Sequence, residues 1–258
     1  MDKNIMKSIL KDDDIPVLDC LCFDTKDYND DINNIVDKVE RKIGYPAIVK
    51  PINLGSSVGI KIGKDKQGLL EAIDYAFQFA KRILIEPAII NLKEVNCSVL
   101  GDYEEAIASE CEEPVNTDEI LSYEDKYLSN EKGGGSKGMT SLKRKLPAEI
   151  DKDTKAIIQN LAVKTFKALG CNGVSRIDFM IDTKLNKIYV NEINTIPGSL
   201  AFYLWEATNI KYTELLDKMI NLGLKREREE KDVSYSFETN ILSGIKLGGI
   251  KGQKGKLG

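Results

Sequence analysis

The stretches GVSRIDFMI (residues 173–181) and KIYVNEI (187–193) read as two strands joined by a polar turn around Thr183 to Asn186. If the turn pairs Asp182 with Ile188, the same register sets Asp178 opposite Glu192 and Arg176 opposite Asn194. Period-two alternation then puts Arg176, Asp178, Glu192 and Asn194 on one face and Ile177, Phe179, Ile181 and Ile193 on the other. The apolar face needs a core to lie on. On the polar face, opposed side chains have Cβ atoms about 5 Å apart, and like charges at that separation repel. Two facing carboxylates therefore ask for a cation, and oxygen ligands from Asp, Glu and Asn suit magnesium. A solvated face whose charges only keep the chain soluble explains the hairpin alone equally well. The turn NTIPGS that follows (194–199) offers backbone N–H groups to an anion.

The other elements follow from periodicity and punctuation. Met1 to Lys11 reads as a helix ended by the acidic cluster Asp12 to Asp14 and by Pro16. VLDCLCF (17–23) is strand-like, and INNIVDKVERKIG (32–44) is an amphipathic helix closed by Gly44. AIVKP and GIKIG are short strands, residues 65–80 look helical, and RILIEP is again a strand. EVNCSVLG and EAIASE suggest a strand pair, and 151–169 is an amphipathic helix ended by Gly170. Further helices run through Trp205 and over Leu215 to Leu222. The polar, glycine-bearing segment 116–145 predicts a mobile loop or lid. The charge run KREREEKD and the Gly/Lys-rich end predict a disordered or surface-docked tail. Strands and helices alternate without the even beat of a doubly wound sheet, so the expected class is α+β, as a pair of lobes.

Composition narrows the chemistry. None of the 258 residues is histidine, which excludes serine–histidine and cysteine–histidine catalysis and histidine metal sites. Carboxylates, lysine, arginine and backbone groups remain, a set suited to magnesium and phosphate chemistry. A net charge of −4 provides no general footprint for nucleic acid or an anionic membrane surface. No apolar run reaches the length of a membrane span, and Met1 to Leu10 is too polar for a secretory signal. The five cysteines form no CxxC pair, which fits a reducing cytoplasm.

Lys50 stands inside the apolar run IVKP, where an unpaired charge is expensive, so it lies at a strand end or has an anionic partner. A phosphate held by Lys50 and by amides of the Gly55-Ser56-Ser57 loop would satisfy it. The alternative is a lysine that snorkels to water. GSSVG does not match the Walker pattern. Glu86 and Glu94 are either edge charges or groups facing a nucleotide's amino and hydroxyl groups.

In order, MDK, YPAIVKP, GSSVGI, LIE, YEDKYLS, GVSRIDFM and NEINTIPG resemble the ATP-grasp portion of D-alanine–D-alanine ligases from about Met1 to Leu222. The resemblance implies two α+β lobes gripping Mg·ATP. Residues 1–42 lead in, 43–91 form a small lobe, and 92–223 form a large lobe with a lid near 123–145; 224–258 are tail. It implies that Lys3 and Lys50 contact ATP phosphates, that Ser56 and Ser57 cover them, and that Glu86 and Glu94 hold adenine and ribose. Lys126 and Tyr127 look like the start of the lid over the γ-phosphate. Asp178, Glu192 and Asn194 match the ligands of Mg²⁺, or of Mn²⁺ in its place. Arg176 and the Gly198 amide match groups that stabilise an oxyanion.

The implied reaction is ATP-dependent joining of a carboxylate to an amine through an acyl phosphate, with D-alanine as substrate, in peptidoglycan precursor synthesis. A peptide or amino-acid ligase with another acceptor is the alternative, since Tyr203 stands where the family has serine. An Mg·ATP-binding fragment inactive without a partner domain is a further alternative. A D-alanine–D-lactate ligase fits less well, because its lid histidines have no counterpart. The family's usual amino-terminal domain is missing, so the expected partners include a second copy in a homodimer, or a chain supplying that domain.

Overall fold

The computed structural model describes residues 2–55, 58–115 and 144–233. Ser56, Ser57, Lys126, Tyr127, residues 116–143 of the loop expected over 116–145 (with its lid near 123–145) and the Gly/Lys-rich end lie outside the described residues. The last two residues of that loop, Arg144 and Lys145, are instead a short strand held by pairing with Glu113 and Pro114.

Helix α1 (Lys3–Asp12) starts where the Asp2 carboxylate accepts from the amides of Asn4 and Ile5, and it buries Lys3, Met6, Lys7 and Leu10 along one stripe. Strand β1 (Leu21–Asp24) begins four residues later than the expected VLDCLCF and ends on Asp24, which caps the next helix. Its side chain bonds the Asp27 amide, and the Asp27 side chain bonds back to the Asp24 amide. Helix α2 (Thr25–Lys42) thus begins seven residues before the apolar period, with a break at Asp31. Then come β2 (Ala47–Pro51), β3 (Lys61–Gly63), α3 (Lys66–Phe77) and β4 (Arg82–Pro87).

These strands form an antiparallel sheet in the order β1-β4-β2-β3. One face carries Phe23, Ala47, Val49, Ile83 and Ile85, packed against Ile35, Val36 and Val39 of α2 and Leu69, Ala72, Ile73 and Ala76 of α3. Alternation assigns Ile48, Lys50, Leu84 and Glu86 to the opposite face. Lys50 pairs with Leu84, and Ile48 with Glu86, so Lys50 and Glu86 are diagonal neighbours on that face.

The second antiparallel sheet has the order β7-β6-β5-β8-β9, from β5 (Leu92–Gly101), β6 (Ala106–Pro114), β7 (Arg144–Lys145), β8 (Gly173–Asp182) and β9 (Lys187–Asn194). Helix α4 (Lys152–Ala168) contributes Ile158, Ala162 and Phe166, and α1 contributes Met6 and Leu10, to a core completed by Val95, Cys97, Val99, Ile177, Phe179, Val190 and Ile193. Gly101, at φ +151°, ends β5 so tightly that a Cβ there would lie 2.0 Å from the Glu105 carbonyl oxygen. Gly101→Ala is therefore expected to cost about 2 kcal/mol or more of stability, read from the urea midpoint.

The hairpin register differs from the expected one at its tip. Asp182 pairs with Lys187 rather than Ile188, and Phe179 pairs with Val190. One extra residue, Asn191, then bulges out of β9, and the pairs Asp178↔Glu192 and Arg176↔Asn194 form as expected. The bulge lets Val190 face the core while Glu192, two residues on, faces away from it.

After β9 a 3₁₀ turn (Gly198–Ala201) leads into α5 (Phe202–Glu206) and α6 (Tyr212–Lys231). Trp205 and Leu215 pack with Leu100 and Val174. Both sheets belong to one compact unit, Met1–Gly223. The remaining unit begins at Leu224, and there the expected tail is corrected over its first residues: α6 continues through Lys231. The charge run is helical because it sets opposite charges four apart, at Lys225–Glu229, Arg226–Glu230 and Glu227–Lys231.

Candidate functional site

The polar faces of the two sheets meet through α1. The Lys3 amide donates to the Ile52 carbonyl at 3.0 Å, and the Lys3 ammonium donates to the Leu54 carbonyl. Lys3 also lies 3.4 Å from the Glu192 carboxylate. A cleft of about 290 Å³ opens here, lined by Lys3, Asn53, Leu54, Glu192, Asn194 and Thr195.

Lys50 has an anionic partner, and it belongs to the protein. Its ammonium donates to Glu86 Oε1 and, at 3.2 Å, to the side-chain oxygen of Asn191, the bulged residue of β9. Glu86 is fully buried and pairs through Oε2 with Lys7 at 2.6 Å. Lys7 in turn donates to the Leu18 carbonyl at 3.2 Å. Burial alone would raise the Glu86 carboxyl pKa, but the two ammonium groups outweigh it and hold the group below its ordinary value. Glu86, expected at the adenine or ribose, is enclosed by these lysines. Glu94, close enough to act on Asp178, also lines a second cleft of about 250 Å³ with Lys93, Glu113 and Lys145.

The hairpin face gathers Arg176, Asp178, Glu192 and Asn194. Arg176 grips Asp178 through two bonds of 2.7 and 2.9 Å, and the Asn194 amide donates to Asp178 at 2.9 Å. Burial pushes the Asp178 carboxyl up to about 6; Arg176 opposes that rise, while Glu192 and Glu94 add to it. For Arg176, burial disfavours the charged form, but Asp178 more than compensates and the guanidinium pKa is raised. An ionised Asp178 facing Glu192 is thus short of positive charge even with Arg176 beside it. Two carboxylates and an amide oxygen form a hard donor set that fits a magnesium-sized cation. Among the described residues no three Asp, Glu, Cys or His converge on one point, so a cation here draws on Asn194 as a ligand.

Gly198 opens a strained turn. Ser199, Leu200 and Ala201 take φ of +49°, +56° and +51°, which L residues rarely adopt. Just beyond, the Tyr203 hydroxyl donates to Glu112 at 2.7 Å, and Asn96 donates to the same oxygen at 3.1 Å. The Arg144 guanidinium lies 4.1 Å from the Tyr203 ring centre and 3.5 Å from the other Glu112 oxygen. Burial, then the Glu112 charge, raises the Tyr203 pKa.

Sequence reasoning singled out neither Lys7, Asn191, Glu112 nor Arg144. Lys7 carries a readable signal, since it falls on the buried stripe of α1, four residues after Lys3. The other three have none, because their positions depend on strand register.

The family profile described as D-ala D-ala ligase C-terminus matches residues 9–221. The D-alanine--D-alanine ligase of Thermosipho africanus is 40% identical over 241 residues, covering 93% of this chain and 62% of that protein. The enzyme of the same name from Acetivibrio thermocellus is 41% identical over 230 residues, covering 88% and 58%. Among solved structures, the D-alanine-D-alanine ligase from Coxiella burnetii matches with a TM-score of 0.71 and 27% identity, over 90% of this chain and 59% of its own. The VanG D-Ala:D-Ser ligase from Enterococcus faecalis matches with a TM-score of 0.71 and 29% identity, over 86% and 61%. The chain spans about 60% of the length of the curated relatives it matches. The two α+β lobes have the ATP-grasp fold expected from sequence.

Proposed function

Because the chain belongs to the D-ala D-ala ligase C-terminal family, we propose that it binds ATP and activates a carboxylate for attack by an amine, as a ligase of D-alanine–D-alanine type in peptidoglycan precursor synthesis. The observation that carries this reading is the convergence of Asp178, Glu192 and Asn194 on one hairpin face, with Lys3 beside Glu192 and Lys50 beside Asn191.

Asp178, Glu192 and Asn194 would hold Mg²⁺, or Mn²⁺, which supplies charge neutralisation between phosphoryl oxygens. Lys3 and Lys50 would cancel further phosphate charge, releasing Glu192 and Asn191 as they do so. Glu86 and Glu94 are assigned to the nucleoside side. Ser56, Ser57, Lys126 and Tyr127 are assigned to the cover over the phosphates on sequence alone. Arg176 and the Gly198 amide would hold the oxyanion formed when the amine attacks the acyl phosphate. Among the described residues no helix is long and apolar enough to cross a membrane, and the proposed setting is the cytoplasm, where ATP is at hand. The expected partners are ATP, D-alanine and a second copy of the chain.

A second reading, a ligase for another acceptor, is favoured by the Tyr203–Glu112–Arg144 cluster beyond the Gly198 turn. ADP release with Mg²⁺ and ATP, with and without D-alanine, and with products identified by mass spectrometry, tests both. D-alanyl-D-alanine is the expected product. ADP release stimulated by a different amino acid, with no D-alanine product, would support the second reading and overturn the first.

A further inference from the structure

The cluster of Lys7, Glu86, Lys50 and Asn191 holds more positive charge than it neutralises. Two ammonium groups share one carboxylate, which leaves a surplus of one positive charge. Lys7 is 2% exposed, Glu86 0% and Lys50 6%, so water screens the surplus poorly. A buried surplus charge is costly unless something compensates for it. Asn191 and the Leu18 carbonyl contribute dipoles only. Asp19, a further carboxylate that feels Lys7, is exposed and already bonded to Lys11, so a bound anion beside Lys50 is the counter-charge that this cluster invites.

Lys7, 2% exposed and bonded to Glu86 and to the Leu18 carbonyl, does not line the cleft and so does not touch an anion bound there. Its effect passes through Glu86. With one carboxylate oxygen bound to Lys7 and the other to Lys50, Glu86 cannot fully cancel either ammonium. Without Lys7, Glu86 and Lys50 would form a neutral pair with no call on a further anion.

We infer that Lys7 is a positioning residue for the nucleotide's polyphosphate: by sharing Glu86 it keeps the charge of Lys50 available to the β- and γ-phosphates. This rests on the cleft being the nucleotide site. The selectivity for polyphosphate over monophosphate is thereby set from a residue that touches neither.

The test is calorimetric binding of a non-hydrolysable ATP analogue and of AMP to the full chain. In Lys7→Met the affinity for the analogue should fall about tenfold and that for AMP by no more than about twofold, as expected for loss of one poorly screened charge. Lys7→Arg, which keeps the charge, should retain the wild-type ratio of the two affinities. The double variant Lys7→Met with Glu86→Gln, whose surplus is again one positive charge, should restore that ratio. If Lys7→Met does not fold, Lys7→Gln replaces it, because its amide still donates to Glu86 or Leu18. Equal losses for both nucleotides, or no loss for either, would assign Lys7 a purely structural part and overturn the inference. Failure of the wild-type chain to bind either nucleotide would instead overturn the reading of the cleft as a nucleotide site.

Discussion

Glu192→Gln is expected to lower metal-dependent ATP turnover about 1,000-fold, the scale of the several kcal/mol that a bound cation contributes to charge stabilisation. The substitution keeps the size of the side chain and removes its charge. Asp178 and Asn194 would be left as a cation site with a single carboxylate. The fold should tolerate the change, because Glu192 is partly exposed and Lys3 keeps its bond to the Leu54 carbonyl. Removing the charge also relieves the repulsion that adds to burial in raising the Asp178 pKa. The melting temperature should therefore stay close to that of the wild type while ADP release collapses. Unchanged turnover in folded protein would remove the hairpin from any account of metal binding.

Glu86→Leu acts on stability. It leaves the Lys7 and Lys50 ammonium groups facing each other without their shared carboxylate, and breaking a buried pair in this way costs about 3–5 kcal/mol. The sign of the pH dependence follows from the same contacts. The folded state holds the Glu86 carboxyl below its ordinary value of 4.5, so its contribution is present above that pH and lost as the pH falls further. The wild type should lose stability on acidification below about pH 4.5. Glu86→Leu should show a shallower acid limb, so the two urea midpoints converge as the pH drops. A loss of less than about 1 kcal/mol at neutral pH would mean that the lysines find other partners, as a weak surface pair would allow.

The polar face of the hairpin was legible because period-two alternation survives where it matters, but the turn register was not. The bulge at Asn191 compensates for a one-residue slip at the tip, and a bulge has no signature until both strands are paired. Lys50 posed a legible question whose answer lay 36 residues away, at Glu86, and on a different element, at Lys7. Pairing at that range follows from topology rather than periodicity. The first turns of α2 were different: Asp24 and Asp27 spell a cap that only close reading of the acidic run would catch. The helical charge run after Leu224 could likewise have been recognised from its four-residue spacing of opposite charges.

Between the two hydrocarbon cores, one beneath each sheet, stand the Lys7–Glu86 and Lys50–Asn191 contacts, made by charge and hydrogen bonding on a sheet face that also buries Leu84. Such a seam behaves unlike a greasy one. Water can enter between ammonium and carboxylate groups and solvate both, whereas water between leucines is simply expelled. Because its charged groups are buried, this seam answers to the charge of whatever occupies the cleft more than to the ionic strength of the solution.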